Sequence, residues 1–412
     1  MLDIKFIREN KKIVEKNNKT RQVKADVGAL LSLDEERIAL QQKADELRAE
    51  RNKRSKTKPS PEEIKAIRQM GGEISELENK VKIKTEELNK ILFTLPNINH
   101  KSVPEGKDES ENKVERKAGK IPKMDFEAQE HFAVGNVKDL MDLERGAETS
   151  GSRFFYLKGK LALLERALIQ HAVDFTVQRG FELILPPIMV KENAMFGTGF
   201  FPADKNEVYA VNPGEENLFL IGTSEVPVVY YHADQTLLEK DLTKKYVSVT
   251  PCFRRESGSY GKDTKGLFRV HQFYKVEMVV LCKPEDSWNI HEELLKNEED
   301  ILQSLGLPYQ VVNICSGDLG FPAAKKYDCE GWFAGQKRYR ELTSTSNTTD
   351  YQARRSNIKY KTADGKKEFV HTLNGTVITD RALLAIIENF QDRDGGVTVP
   401  EVLRKYTGFD KI

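Results

Sequence analysis

The chain has 412 residues, enough for two or three domains, and 31% of them are charged. Its 65 basic and 64 acidic side chains nearly cancel, so the sum identifies no partner and the distribution has to be read instead. No apolar run approaches the ~20 residues of a bilayer span, and the charged start "MLDIKFIRENKKIVEKNNK" lacks the apolar core of a secretory signal. Cys252, Cys282, Cys315 and Cys329 form no CxxC pair, which argues against a zinc ribbon or a disulfide framework. They read as small buried apolar residues of a reduced, cytoplasmic protein.

In chain order, the first feature is a helical pair. Leu33, Leu40, Ala44 and Leu47 make a heptad-like seam within helix-forming sequence. The seam resumes at Ile67, Met70, Ile74, Leu77, Val81, Leu88, Leu92 and Leu95. Between them "SKTKPSPEE" breaks the pattern, and Ser60 followed by Pro61 marks the start of the returning helix. Two helices with a short connection return antiparallel. At about 30 residues each they reach roughly 45 Å and bury too little to form a globule, so they read as an arm. Gly71 and Gly72 offer a bend in the second helix. Arg48, Arg51, Lys53, Arg54, Lys56 and Lys58 crowd the tip of the arm, either as a solvated helix end or as a phosphate-binding surface.

The Pro- and Asn-rich stretch 95–113 reads as a linker, which divides the chain into residues 1–105 and 106–412. Beyond it, 163–180 is an amphipathic helix closed by Gly180, and "FELILPPIMV" is a strand carrying two prolines. Strands follow at "LFLIGT", "YVSVTPCF", "FYKVEMVVLC" and "YQVVNIC", with helices at 288–306 and 381–391. Strands in a run with few helices between them predict an α+β fold on an antiparallel sheet. Neither GxGxxG nor GxxxxGK[ST] occurs, so Rossmann and P-loop readings lose their usual support.

The chemistry concentrates around "CFRRESGSYGKDTKGLFRVHQFYKVEM". Alternation puts Phe268, Val270, Gln272, Tyr274, Val276 and Met278 on a core-like face. Arg269, His271, Phe273, Lys275 and Glu277 share the other face. If the flanking strands pair, Arg254, Glu256, Phe273 and Glu277 converge on one floor. A guanidinium suits phosphate, an aromatic face suits a purine, and a carboxylate suits an ammonium. The competing reading is a cross-strand ladder of salt bridges. Glu341 and Ser344 can hold a hard cation through oxygen. Arg381 opens an apolar helix, where a cation is locally unfavourable unless it faces an anion.

Together these segments resemble the seryl-tRNA synthetases, a family of class II aminoacyl-tRNA synthetases. "RGFELILPPIMV", with Pro187 at an interface, is similar to the first class motif. "FRRE" with its loop and return strand is similar to the second, and "LNGT…R" with the helix at Arg381 to the third. "GTSEVP", "GLFRVHQFYKVEM", "YRELTSTSNTTDYQARR" and "HTLNG" resemble the narrower family signature, in its order and together with the arm.

The resemblance implies that serine is activated with ATP and passed to tRNA(Ser), and to tRNA(Sec) in some members, by a cytoplasmic homodimer. It assigns Arg254 and Arg381 to catalysis. ATP falls to those two with Arg255, Glu256, Val270, Phe273, Glu341, Leu342, Thr343 and Ser344. Phe273 takes the adenine-stacking position, and Glu341 and Ser344 the Mg2+ ligands. L-serine falls to Thr223, Ser224, Glu225, Arg254, Glu277 and Thr376. The six basic tip residues meet the long variable arm of the tRNA. Two departures stand out. "NGTVITDR" is one residue shorter than the family turn and sets Asp380 beside Arg381, and Gly331 stands where a larger residue is usual. A serine ligase for a carrier protein and a non-catalytic paralogue on the same frame are the alternatives; the first would lack the arm, and the second would lack the polar site residues.

Overall fold

The computed structural model describes residues 1–56, 60–215, 217–257 and 265–412. It divides into two compact units, Leu2–Pro96 and Asn97–Ile412, with Met1 grouped with the second.

In the first unit, the seams predicted from the heptads become helices α1 (Val27–Arg54) and α2 (Pro61–Leu92). The Asp26 carboxylate accepts from the Ala29 amide at 2.8 Å and starts α1. Ser60 starts α2 through a reciprocal cap. Its hydroxyl accepts from the Glu63 amide at 3.2 Å, and the Glu63 carboxylate accepts from the Ser60 amide at 2.6 Å. Pro61 occupies the first turn, where no amide is missed. The helix runs unbroken through Gly71 and Gly72, so the bend they offer is not taken.

Ion pairs fix the helix direction: Arg48 reaches Glu78, and Lys84 lies 2.8 Å from Glu36. Low numbers on α1 therefore face high numbers on α2, as in an antiparallel pair. Ala44, Ile74, Leu77, Leu88 and Leu92 are buried, while Leu33, Leu40, Leu47, Ile67, Met70 and Val81 are half-buried. One charge enters this stripe. Asp34 is buried, and burial alone would raise its pKa; hydrogen bonds from Arg8 and Arg37 outweigh that and lower it.

In the second unit, eight strands form one sheet: β1 (Lys113–Ala118), β2 (Glu182–Ile184), β3 (Lys244–Phe253), β4 (Gln272–Cys282), β5 (Tyr309–Asn313), β6 (Lys325–Phe333), β7 (Arg338–Asn347) and β8 (His371–Thr379). Their spatial order is β1-β5-β6-β7-β8-β4-β3-β2. Every neighbouring pair is antiparallel except β2 with β3. The double proline ends β2 at Ile184, because proline has no amide for the ladder. Helices α3 (Gly159–Val177), α4 (Ser287–Ser304) and α5 (Asp380–Asn389) cover the sheet. Leu164 and Leu168 of α3, Leu294 and Leu302 of α4, and Leu383 and Ile386 of α5 join Val276 and Met278 in one core. The fold is α+β, as the run of strands predicts.

The stretch read as a linker is tied to the body. The Asn97 side-chain amide donates to the carbonyls of Pro322 at 2.9 Å and Thr348 at 2.7 Å. All four cysteines are buried and unpaired. Among the described residues no helix is long and apolar enough to cross a membrane.

Candidate active site

The two strands flanking the charged loop pair over ten positions, from Gln272 opposite Phe253 to Leu281 opposite Lys244. The loop itself, residues 258–264, lies outside the described residues. Pairing sets Arg254 just past the end of β3, with its guanidinium 5.3 Å from the Phe273 ring and its Nε donating to the Gly222 carbonyl at 3.3 Å. Glu256, held at φ +50°, turns its carboxylate to Arg269 at 3.0 Å.

Two β-bulges complete the constellation. Glu341 and Ser344 are three apart, and strict alternation would put them on opposite faces of β7. Glu330 pairs with Glu341 and Cys329 with Thr343, so Leu342 is an extra residue that restores both to one face. The same holds on β8. Glu277 pairs with Thr376 and Val276 with Ile378, so the extra Val377 lets Thr376 and Thr379 share a side. Gly331 is explained by the first bulge: a Cβ there would lie 2.3 Å from Leu342 Cδ1.

These elements enclose a small cavity of about 70 Å³. It is lined by Arg254, Glu256, Leu267, Phe268, Arg269, Val270, Phe273, Lys275, Glu341, Leu342, Ser344, Thr376, Thr379, Asp380 and Arg381. Arg254, Glu256 and Arg269 also line a larger cavity of about 460 Å³ that reaches Met195, Asp204, Glu207 and Gly222. The two are lobes of one cleft. The cations and carboxylates of the smaller lobe come from the segment between β3 and β4 and from β4, β7 and α5, with hydroxyls from β8, so the cleft is no simple cross-strand ladder.

The electrostatics are strongly coupled. Arg381 lies 4.5 Å from the Phe268 ring and places Nη1 3.2 Å from Glu341 Oε2. Burial pushes the Glu341 carboxyl up, but Arg381, Lys326 and Arg254 outweigh it and hold its pKa at about 2. The Glu341 side chain is still 45% exposed to the open cleft, so burial opposes the three cations only in part. Deeper in the body, Lys275 and Glu277 form a buried ion pair. The Thr376 hydroxyl donates to the Glu277 carboxylate at 3.5 Å.

Glu225, also buried, accepts from the Gln352 amide at 2.6 Å. Burial, then the charge of Glu277, raise its pKa to about 7. The Thr223 hydroxyl accepts from the Glu225 amide at 3.2 Å and so sets the start of the short helix Glu225–Tyr230.

Six residues expected in the site line neither lobe of the cleft: Thr223, Glu225 and Glu277 are buried in the fold, and Ser224, Thr343 and Arg255 are turned elsewhere. The Ser224 hydroxyl accepts from Ser248 at 2.6 Å inside the fold. Thr343 faces α4, donating to Glu298 at 2.8 Å. Arg255 is exposed and lines neither lobe, because its neighbour Arg254 takes the inward side of the extended chain.

Sequence reasoning missed others. Phe268 was placed with the core. It is buried in that core; what was missed is that its ring also lies under the guanidinium groups of Arg340 and Arg381 and lines the cleft. Lys275 was read on the polar face without a role, and Lys326 carried no signal at all.

At the arm tip, Arg48 is paired with Asp45 and Glu78, and Arg54 with Glu50. Among the described residues no ion pair engages Arg51, Lys53 or Lys56. Lys58 lies outside the described residues.

An antiparallel sheet with arginines from its second and last motifs over one cleft defines a class II aminoacyl-tRNA synthetase core. The model "tRNA synthetase class II core domain (G, H, P, S and T)" matches residues 207–390, and the model "Seryl-tRNA synthetase N-terminal domain" matches residues 1–99. A serine–tRNA ligase of Thermodesulfovibrio yellowstonii is 45% identical over the full length of both chains. The crystal structure of seryl-tRNA synthetase from Pyrococcus horikoshii complexed with ATP superposes at TM-score 0.92. It is 42% identical, with 100% of this chain and 99% of that one covered. The cytoplasmic serine–tRNA ligase of Naegleria fowleri in complex with AMP superposes at 0.89. It is 36% identical, with coverage of 100% and 98%. The chain belongs to the seryl-tRNA synthetase family, and its enzyme class is that of the serine–tRNA ligases. The carrier-protein and non-catalytic readings give way to this one.

Proposed function

We propose that the cleft activates L-serine with ATP and then delivers the seryl group to tRNA(Ser). The observation that carries this assignment is the gathering of Arg254, Phe273, Glu341 and Arg381, from the end of β3, from β4 and β7 and from α5, around one cleft, with Glu277 buried behind Lys275. Arg254 faces the α-phosphate and the serine carboxylate, Phe273 stacks on the adenine, and Arg381 meets the far end of the triphosphate. Glu341, ionised at neutral pH, and the Ser344 hydroxyl on the same face fit a Mg2+ ion, which takes few protein oxygens and completes its shell on phosphates. Bound there, the ion would supply charge neutralisation on the phosphates.

The first step needs no nucleophilic side chain. The serine carboxylate attacks the α-phosphorus in line and pyrophosphate leaves, while the two guanidinium groups meet the developing charge. Glu225 and Glu277 hold the serine ammonium and hydroxyl, with Thr223 and Thr376 beside them. A pocket built to bond a hydroxyl rejects an analogue lacking it by roughly 10⁴–10⁵, so alanine is excluded.

The remaining assignments go with this reading. Residues 1–105 form the tRNA-binding part and 106–412 the catalytic part, with Arg48, Arg51, Lys53, Arg54, Lys56 and Lys58 on the tRNA backbone. The chain works in the cytoplasm, in line with four unpaired buried thiols. It acts as a homodimer through "LPPIMV", where Leu185 is 77% and Met189 46% exposed. tRNA(Sec) is a second acceptor.

ATP–pyrophosphate exchange measured across the twenty amino acids tests the central assignment. Exchange is expected with serine, and alanine-dependent exchange near serine's efficiency would overturn it. Charging of tRNA(Ser) and tRNA(Sec) transcripts then tests the second step.

A further inference from the structure

Outside the cleft, the strongest unexplained feature is a buried pair of acids. Glu165 on α3 and Asp380 at the first turn of α5 are both buried, and their carboxyl groups meet. With both ionised, Glu165 Oε2 has no hydrogen-bond partner among the described residues. The cationic groups nearby point elsewhere. Arg381 is turned to Glu341, and Arg166 is exposed at the mouth of an adjoining cavity of about 270 Å³. The cavity that Glu165 and Asp380 line together also takes Gln272, Phe273 and Tyr274 from β4 and Phe154 and Phe155 from the segment before α3, none of which supplies a cation; on the cleft side of Asp380, Lys275 is paired with Glu277 and Arg254 donates to Gly222. One proton between the two carboxyls removes the like-charge contact and gives the orphan oxygen a partner. Burial raises the pKa of both groups, which agrees with a retained proton.

The position of the pair gives it a use. The β4–β8 ladder ends where Lys275 faces Thr379. The next rung would join Tyr274 to Asp380, but the backbone turns into α5 at Asp380 and leaves the ladder. The Asp380 side chain takes over instead, its Oδ1 accepting from the Tyr274 amide at 2.8 Å. Phe273 precedes one partner of this bond and Arg381 follows the other.

We propose that Asp380 and Glu165 share one proton and act as positioning residues that carry the strand ladder one rung further, holding Phe273 and Arg381 in register around ATP. This rests on the site assignment above.

The test is steady-state ATP–pyrophosphate exchange on the full-length chain, with KM for ATP and for serine read separately. Glu165→Gln and Asp380→Asn each keep one bridging hydrogen and are expected to hold both KM values within about twofold. Glu165→Leu and Asp380→Ala remove it and are expected to raise KM for ATP about tenfold or more, with KM for serine within about twofold. Three results would overturn the proposal: a parental KM for ATP in Asp380→Ala, equal rises for both substrates, or a tenfold loss in either amide variant. If Glu165→Leu does not fold, the other three variants decide. Arg381→Ala and Phe273→Ala in the same assay separate the two readings. If they leave KM for ATP unchanged, the site assignment fails. If they raise it and Asp380→Ala does not, only the positioning role fails.

Discussion

At the scale of single residues, most of the chemistry comes from charges whose neighbours set their state. Arg254 sits over Phe273 and lines the cleft, so under the proposed function its removal takes charge from the transition state. Arg254→Ala is expected to lower exchange by about 10²–10³ with an unchanged circular dichroism spectrum. A folded variant with full exchange would take Arg254 out of the mechanism. Glu225 makes a second, pH-dependent prediction. Its folded pKa of about 7 lies above the unfolded value of 4.5, so folding favours the protonated form. The associated stability is complete below about pH 4.5 and is lost as pH rises through about 7. Glu225→Gln is therefore expected to melt higher than the parent at pH 8, with the gap closing by pH 4.5. Melting curves at both pH values check this, and a gap that stays constant with pH would refute it. The same titration leaves Glu225 neutral below pH 7, so KM for serine should rise as pH falls from 7 to 5.5.

At the scale of elements, the β-bulges decide which side chains meet. Arg254, Phe273 and Glu277 were legible in the sequence because alternation along a regular hairpin places them. Glu341 and Ser344 were legible by their oxygen chemistry but not by geometry, since an odd spacing on a regular strand separates them and only the extra Leu342 reunites them. Ser224, Thr343 and Arg255 show the converse: adjacency in a motif does not turn a side chain inward. Gly331 tests the bulge. In Gly331→Ala the new Cβ meets Leu342, so the variant is expected to lose about 1–3 kcal/mol by overpacking and to bind ATP more weakly. Urea unfolding and KM for ATP measure the two effects, and a parental midpoint would show that Leu342 yields at no cost.

At the scale of the whole molecule, the proposed function gives the two units separable tasks. Removing the outer parts of α1 and α2, residues 45–77, and closing the gap with a short glycine-rich turn leaves Asn97 and every cleft residue in place. Serine-dependent exchange is expected to persist within about twofold, while charging of tRNA falls by 10²-fold or more once the basic phosphate contacts are gone. Normal charging by the shortened chain would make the helical pair structural only. In the same way, Leu185→Glu is expected to shift the light-scattering mass from two chains toward one, because a buried unpaired charge is costly at an apolar interface.

What the sequence determined by itself was local and periodic. The heptads set the two long helices, and Ser60 with Glu63 set where the second begins. Alternating apolar residues set the strands around the charged loop. These follow from near neighbours along the chain, where backbone geometry is regular. Only the tertiary structure decided what depends on departures from that regularity and on distant segments meeting. Arg381 reaches Glu341 across the sheet, the extra residues on β7 and β8 turn hydroxyls into the cleft, and Asp380 finds Glu165 more than two hundred positions away. The energies of such encounters come from burial and charge among groups that no sequence period relates.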